Sequence, residues 1–175
     1  MINKKENYKF LMQKRAQAGG FDLMVAVIIF TFGIVVFFIY SINQPAEAKE
    51  TLEKLSYDGK IITDSILSEG YPENWDENNV IKTGILTDNK INQTKLDRFY
   101  SLTQTDYQKT KQLFNTIYDY YFFLDEDMTI NSLEVEGIGK SGTTRDNINS
   151  ENIVKITRFV VYEGKPMAAY LYVFE

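Results

Sequence analysis

The sequence predicts an α+β protein, a long N-terminal hydrophobic spine helix packed on a small antiparallel β-sheet head. Three observations carry that expectation. Residues 21–42, FDLMVAVIIFTFGIVVFFIYSI, hold almost no polar side chains. Ala48, Leu52, Leu55, Gly59, Ile62 and Ile66 recur at alternating spacings of four and three, the repeat of one helix face. The closing stretch IVKITRFVVYEGKPMAAYLYVFE has two alternating runs around EGKP, which fits two strands and a turn at Gly164. A sheet laid on the apolar stripe of a helix buries both surfaces at once.

At 175 residues the chain has room for one domain and an appendage. Lys4, Lys5, Lys9, Lys14 and Arg15 against Glu6 put the first 20 residues at +4, so a chain of net −5 leaves −9 on the rest. An acidic body argues against nucleic acid as a partner. The chain has neither Cys nor His, which excludes disulfides, thiolate metal sites and the commonest general base. No nucleophile elbow, phosphate-binding loop or dinucleotide fingerprint is present, so no enzyme activity and no cofactor are expected.

Residues 1–16 form a basic leader. The apolar run after it is long enough to cross a bilayer as a helix, which takes about 20 residues. It exceeds the apolar core of a secretory signal, roughly 7–15 residues, and no small-residue cleavage pattern follows it directly. Residues 17–44 are therefore expected to stay as a single membrane span, with Tyr40 at one interface and the lipid bilayer as a partner. The cations place the leader in the cytoplasm and the head outside the cell. Asp22 falls at the expected helix start, where an acid accepts free N–H bonds and complements the positive helix end.

Residues 45–70 continue as an amphipathic helix, with Pro45 near its start or at a kink and Gly70 and Pro72 closing it. Residues 71–175 make the head. YPENWDENN is a loop whose Trp75 anchors the core. VIKTGIL reads as a strand and TDNK as a turn. QTKLDRFYSLTQTDYQKTKQLFNT gives two short helices with Leu96, Phe99, Tyr100, Tyr107, Leu113 and Phe114 inward. IYDYYFFL is a strand. INSLEVEGIGKSGTTRDNINSEN lacks periodicity and reads as a long, mobile excursion. About four antiparallel strands result.

Two local patterns bear on ligands. DEDMTINSLEVE sets Asp125, Asp127, Thr129, Asn131 and Glu136 at positions one, three, five, seven and twelve of a calcium loop. Ile130 stands where such loops carry glycine, and a solvated turn is the simpler account, so no metal is expected. Asn92, in NQT, is an acceptor for glycosylation if the loop faces the exterior.

The stretch Lys14, Arg15, Ala16, Gln17, then Asp22 and an unbroken apolar helix resembles the precursors of type IV pilins, the archaeal ones most. GYPENW, GIL and TKL are similar to a recurring head of archaeal pilin-like membrane proteins. The resemblance implies a prepilin peptidase as partner, cutting between Ala16 and Gln17 or, in a second register, between Gly20 and Phe21. It also implies that Asp22 pairs with the freed amine of a neighbouring subunit inside a filament. Other pilin subunits would then contact this chain through the apolar helix, with Gly33 permitting close approach. On that reading the protein is a minor pilin or pseudopilin of a cell-surface filament serving adhesion, secretion or motility. The alternative is a monomeric signal-anchored surface protein whose external head binds a ligand or partner.

Overall fold

The computed structural model describes residues 4–42 and 46–175. Pro45 and the side chain of Ala48 lie outside the described residues. The chain divides into two compact units, Met1–Ala46 and Glu47–Glu175. The first contains one helix, α1 (Lys4–Ile42). It runs without interruption through the leader, so Asp22 is eighteen positions beyond its first residue and is not a helix cap. The capping expectation failed because most of the basic leader, with its four Lys and its Glu6, Leu11, Met12, Gln13, Arg15 and Ala16, is itself made of good helix formers.

The second unit opens with α2 (Ala46–Ile66) and closes with the hairpin β7 (Ile153–Tyr162) and β8 (Lys165–Phe174). Between them come β1 (Leu86–Thr87), β2 (Lys90–Ile91), α3 (Gln93–Thr105), α4 (Tyr107–Phe114), β3 (Asp119–Leu124), β4 (Met128–Ile130), β5 (Leu133–Val135) and β6 (Ile138–Gly139). Six strands form one sheet in the order β1-β2-β7-β8-β3-β6, and β4 and β5 make a separate hairpin. The sheet is mixed, since β2 runs parallel to β7 at Lys90↔Val161. The expected four-strand antiparallel sheet is thus corrected. The extra strands are two residues long and leave no period in the sequence.

Leu55, Gly59, Ile62 and Ile66 of α2 are buried, as their spacing predicts, whereas Leu52 is 41% exposed. Gly59 is what lets the helix lie close. A Cβ there would stand 2.6 Å from Cδ1 of Ile156 and 3.1 Å from Cγ2 of Val173. Tyr120, Phe122 and Leu124 of β3 and Leu171 and Val173 of β8 face the same core as Leu96 and Phe99 of α3 and Phe114 of α4. Each such side chain stabilises the fold by about 1.5–3 kcal/mol relative to exposure. Trp75 is fully buried and its indole N–H donates to the Gly84 carbonyl at 2.9 Å, confirming it as an anchor. The opposite face of the sheet carries a second cluster, Tyr121, Phe123 and Phe174, with Tyr170, Tyr172 and Ile148 against it.

VIKTGIL is not a strand over its length. Its groups bond back to the end of α2 and the segment after it: Ile85 N–H donates to the Ile66 carbonyl, Leu86 N–H to the Ser68 carbonyl, and the Lys82 carbonyl accepts the Tyr71 N–H. Only Leu86 enters the sheet, through the Asp88–Asn89 turn, where both residues have positive φ as a two-residue hairpin requires. Glu163 and Gly164 make the same kind of turn between β7 and β8.

Candidate functional site

Gly20–Ile42 is long and apolar enough to cross a membrane. At 1.5 Å per residue its 23 residues span about 35 Å, against a hydrocarbon core of about 30 Å. Every side chain on it is exposed, including Phe21, Ile28, Phe32, Phe37 and Tyr40. A helix apolar on all sides needs lipid or other helices around it. Asp22 is the one side chain in Gly20–Ile42 that is charged at neutral pH, and it is exposed. Gly33 has nothing within 4 Å of a Cβ position. Ala16, Gln17, Gly20 and Phe21 lie in α1, and Gly20 and Phe21 are exposed.

Asn92 is the N-cap of α3, its side-chain oxygen accepting the Lys95 N–H at 3.2 Å. The side-chain nitrogen, which a glycan would occupy, is not used by that bond. Lys95 itself is buried and donates from Nζ to the carbonyls of Glu69 and Leu86, both at 2.9 Å. It ties α3 to the loop that follows α2.

The calcium-type spacing does not produce a calcium loop. Asn131 and Ser132 have positive φ and turn the chain between β4 and β5, so the acids are spread along a hairpin. Asp125 accepts the Tyr170 hydroxyl at 2.7 Å and the Ala168 N–H at 3.1 Å, and these bonds hold its carboxyl below the ordinary range. Thr129 spends its carbonyl on Gln93, at 2.6 Å, and Asn131 donates its N–H to Asp97. Asp127 and Glu136 are taken by Arg145: Nη2 donates to Asp127 at 2.6 Å, and Glu136 accepts the Arg145 backbone N–H at 2.7 Å. Among the described residues no group of three acids is placed to hold a metal ion.

Arg145 also corrects the expectation of a mobile excursion. Its guanidinium donates to the Asp125 and Glu136 carbonyls and lies 5.4 Å over the Phe123 ring. Residues 130–152 contain β5 and β6; this side chain fastens them across the outer aromatic cluster, and β6 pairs with β3. Beside it, burial and then the Glu136 charge push the Tyr121 hydroxyl up to about 12.

A second polar constellation was not singled out by the sequence. Asp119 accepts from Lys140 at 2.6 Å, Lys111 at 3.0 Å and the Tyr107 hydroxyl at 3.2 Å. Tyr107 in turn accepts the Tyr120 N–H at 3.0 Å. Burial alone would raise the Asp119 pKa, but the bonds from Lys140 and Lys111 outweigh it and leave the carboxyl below its usual range. Burial drives the Tyr107 and Tyr120 hydroxyls well above the ordinary value. Tyr107, Lys111, Asp119 and Lys140 line a cleft between α4 and β6. Only the fold brings Lys111, Asp119 and Lys140 together. The arrangement locks α4, β3 and the excursion to one another.

No protein-family model, curated protein or solved structure matches this chain.

Proposed function

We propose that the chain is a membrane-inserted, structural subunit of a type IV pilus-like surface filament, of the minor pilin or pseudopilin kind. The observation that carries the reading is α1: an uninterrupted helix in which a basic leader, small residues, one acid and then apolar side chains on every face follow in that order. Such a helix is stable in lipid as a single chain and stable among like helices in a filament core, so the same surface serves storage and assembly. Asp22 is the residue that distinguishes the two states. A carboxylate enclosed by apolar helices needs a cationic partner, and the amine freed by cleavage of a neighbouring subunit is of the right charge. The head outside the membrane, Glu47–Glu175, supplies the filament surface.

The test is the intact mass of the protein from membranes, with and without a co-expressed prepilin peptidase. Loss of the leader after Ala16 or Gly20 is expected. A chain left whole while a control substrate is cut would overturn the reading.

The second reading, an anchored monomer with a partner-binding head, is favoured by one observation: α1 is helical straight through Ala16–Gly20, where a protease needs extended chain. An uncut chain in the same experiment selects it.

A further inference from the structure

We propose that the open edge of β7 pairs with the same edge of a second copy of this chain, antiparallel and centred on Ile156. β7 is ten residues long and is paired over its whole length on one side only, with β8. On its other side, among the described residues, Val161 pairs with Lys90 of β2, and the Thr157 carbonyl accepts Nη1 of Arg158 at 3.3 Å, a side-chain bond that a second strand would replace. Outward-facing backbone groups alternate along a strand, so Phe159, Thr157, Lys155 and Ile153 present their N–H and C=O groups on the side that Val161 uses. The two-residue turn at Glu163–Gly164 sets the same parity, because Tyr162 and Lys165 close it as a bonded pair.

Natural edge strands are blunted by charged side chains, proline, bulges, covering segments or short length; β7 carries two cations, Lys155 and Arg158, each drawn onto groups of its own chain. β7 has no proline in it, and its register to β8 runs unbroken from Ile153↔Phe174 to Tyr162↔Lys165. Ile153 is 40% exposed and Phe159 84%. The edge is bare where its apolar side chains are.

The open stretch runs from Ile153 to Phe159, and its midpoint is Ile156. Laid antiparallel on a second copy about that midpoint, every outward group in both strands meets another outward group, giving about eight backbone hydrogen bonds. Ile153 then stands opposite Phe159 of the second copy, so the two exposed apolar residues cover each other. Lys155 stands opposite Thr157, and Arg158 opposite Val154. No cation faces a cation directly; each Lys155 is already held 4.1 Å over the ring of its own Tyr170, and each Arg158 lies 3.7 Å from its own Asp64. Shifting the register by two residues brings the second copy onto Val161, which is occupied, and loses bonds. The strand is complementary to itself in one register.

Such a pairing is smaller than a standard stable interface. Chains held at high density in a membrane or micelle gain effective concentration, which is where it forms. Being isologous it closes as a dimer and does not propagate, so it is separate from any filament contact and stands or falls independently of the filament reading.

The experiment is sedimentation equilibrium of the full chain in detergent micelles over a range of protein concentrations, for the native sequence and for Thr157→Pro. The proline removes an outward N–H that β8 does not use, a position where edge strands accept proline. A concentration-dependent dimer is expected for the native chain, weakened at least roughly tenfold in the variant by the lost bonds, with an unchanged thermal melt. A native chain that stays monomeric throughout overturns the proposal, as does a variant that dimerises equally well. The second measurement uses the absence of native cysteine. Lys155→Cys and Thr157→Cys chains are mixed and treated with a short thiol cross-linker. The mixed pair should link faster than either variant alone; equal or absent linking overturns the register.

Discussion

Asp119 draws on Lys111 in α4, Lys140 after β6 and Tyr107 at the start of α4 while its backbone sits in β3. Replacing it by Asn removes the charge that both lysines bond and leaves them unpaired. Hydrogen bonds to charged groups are worth about 1.5–3 kcal/mol each, discounted here by partial solvent access, so Asp119→Asn should cost on the order of 1–3 kcal/mol. The sign with pH is definite. A carboxyl lowered in the folded state contributes its full stabilisation above the unfolded value, about 3.9, and loses it as pH falls through the folded value. Urea melts of the native chain and Asp119→Asn should therefore differ most at neutral pH and converge below about pH 4. A constant gap across that range would mean that the residue acts by packing alone. The sequence carried no sign of this cluster, because Lys111, Asp119 and Lys140 are separated by a helix end and a strand. The calcium-type spacing illustrates the converse. It was plain in the sequence, and the turn at Asn131–Ser132 scattered its acids.

At the scale of elements, α2 depends on the absence of a side chain at Gly59. In a helix interior glycine costs about 1 kcal/mol relative to alanine, so its presence needs a tertiary reason. The contact with Ile156 and Val173 is that reason. Gly59→Leu should lever α2 from the sheet and destabilise the head by about 1–3 kcal/mol or more, read as a lower urea midpoint. A midpoint equal to that of the native chain would show that the helix–sheet distance is not set there. The α2 stripe, both short helices, β3 and the terminal hairpin were legible in advance because each has a period and enough residues to show it. β1, β2 and β6 were not, since two residues have no period and their pairing depends on partners distant in the chain.

At the scale of the molecule, the division at Ala46–Glu47 separates a helix that needs apolar surroundings from a unit with its own core. Residues 47–175, expressed without the apolar helix, should therefore give a cooperative thermal transition and the near-ultraviolet circular dichroism of packed tyrosines. A broad, non-cooperative melt would show that α1 contributes to the core of the head. The full chain, in contrast, should remain with the membrane fraction after alkaline washing, as an integral protein does.

The sequence by itself determined the membrane-length helix, the amphipathic face of α2 and the β7–β8 hairpin. Each is written in local composition and spacing, which act over a few residues. Tertiary structure alone decided that the sheet is mixed, that Arg145 fastens the excursion, that Asp119 gathers two lysines and that β7 keeps an open edge. Those outcomes rest on contacts between residues far apart in the chain, and on which strand is left without a neighbour, neither of which any local pattern encodes.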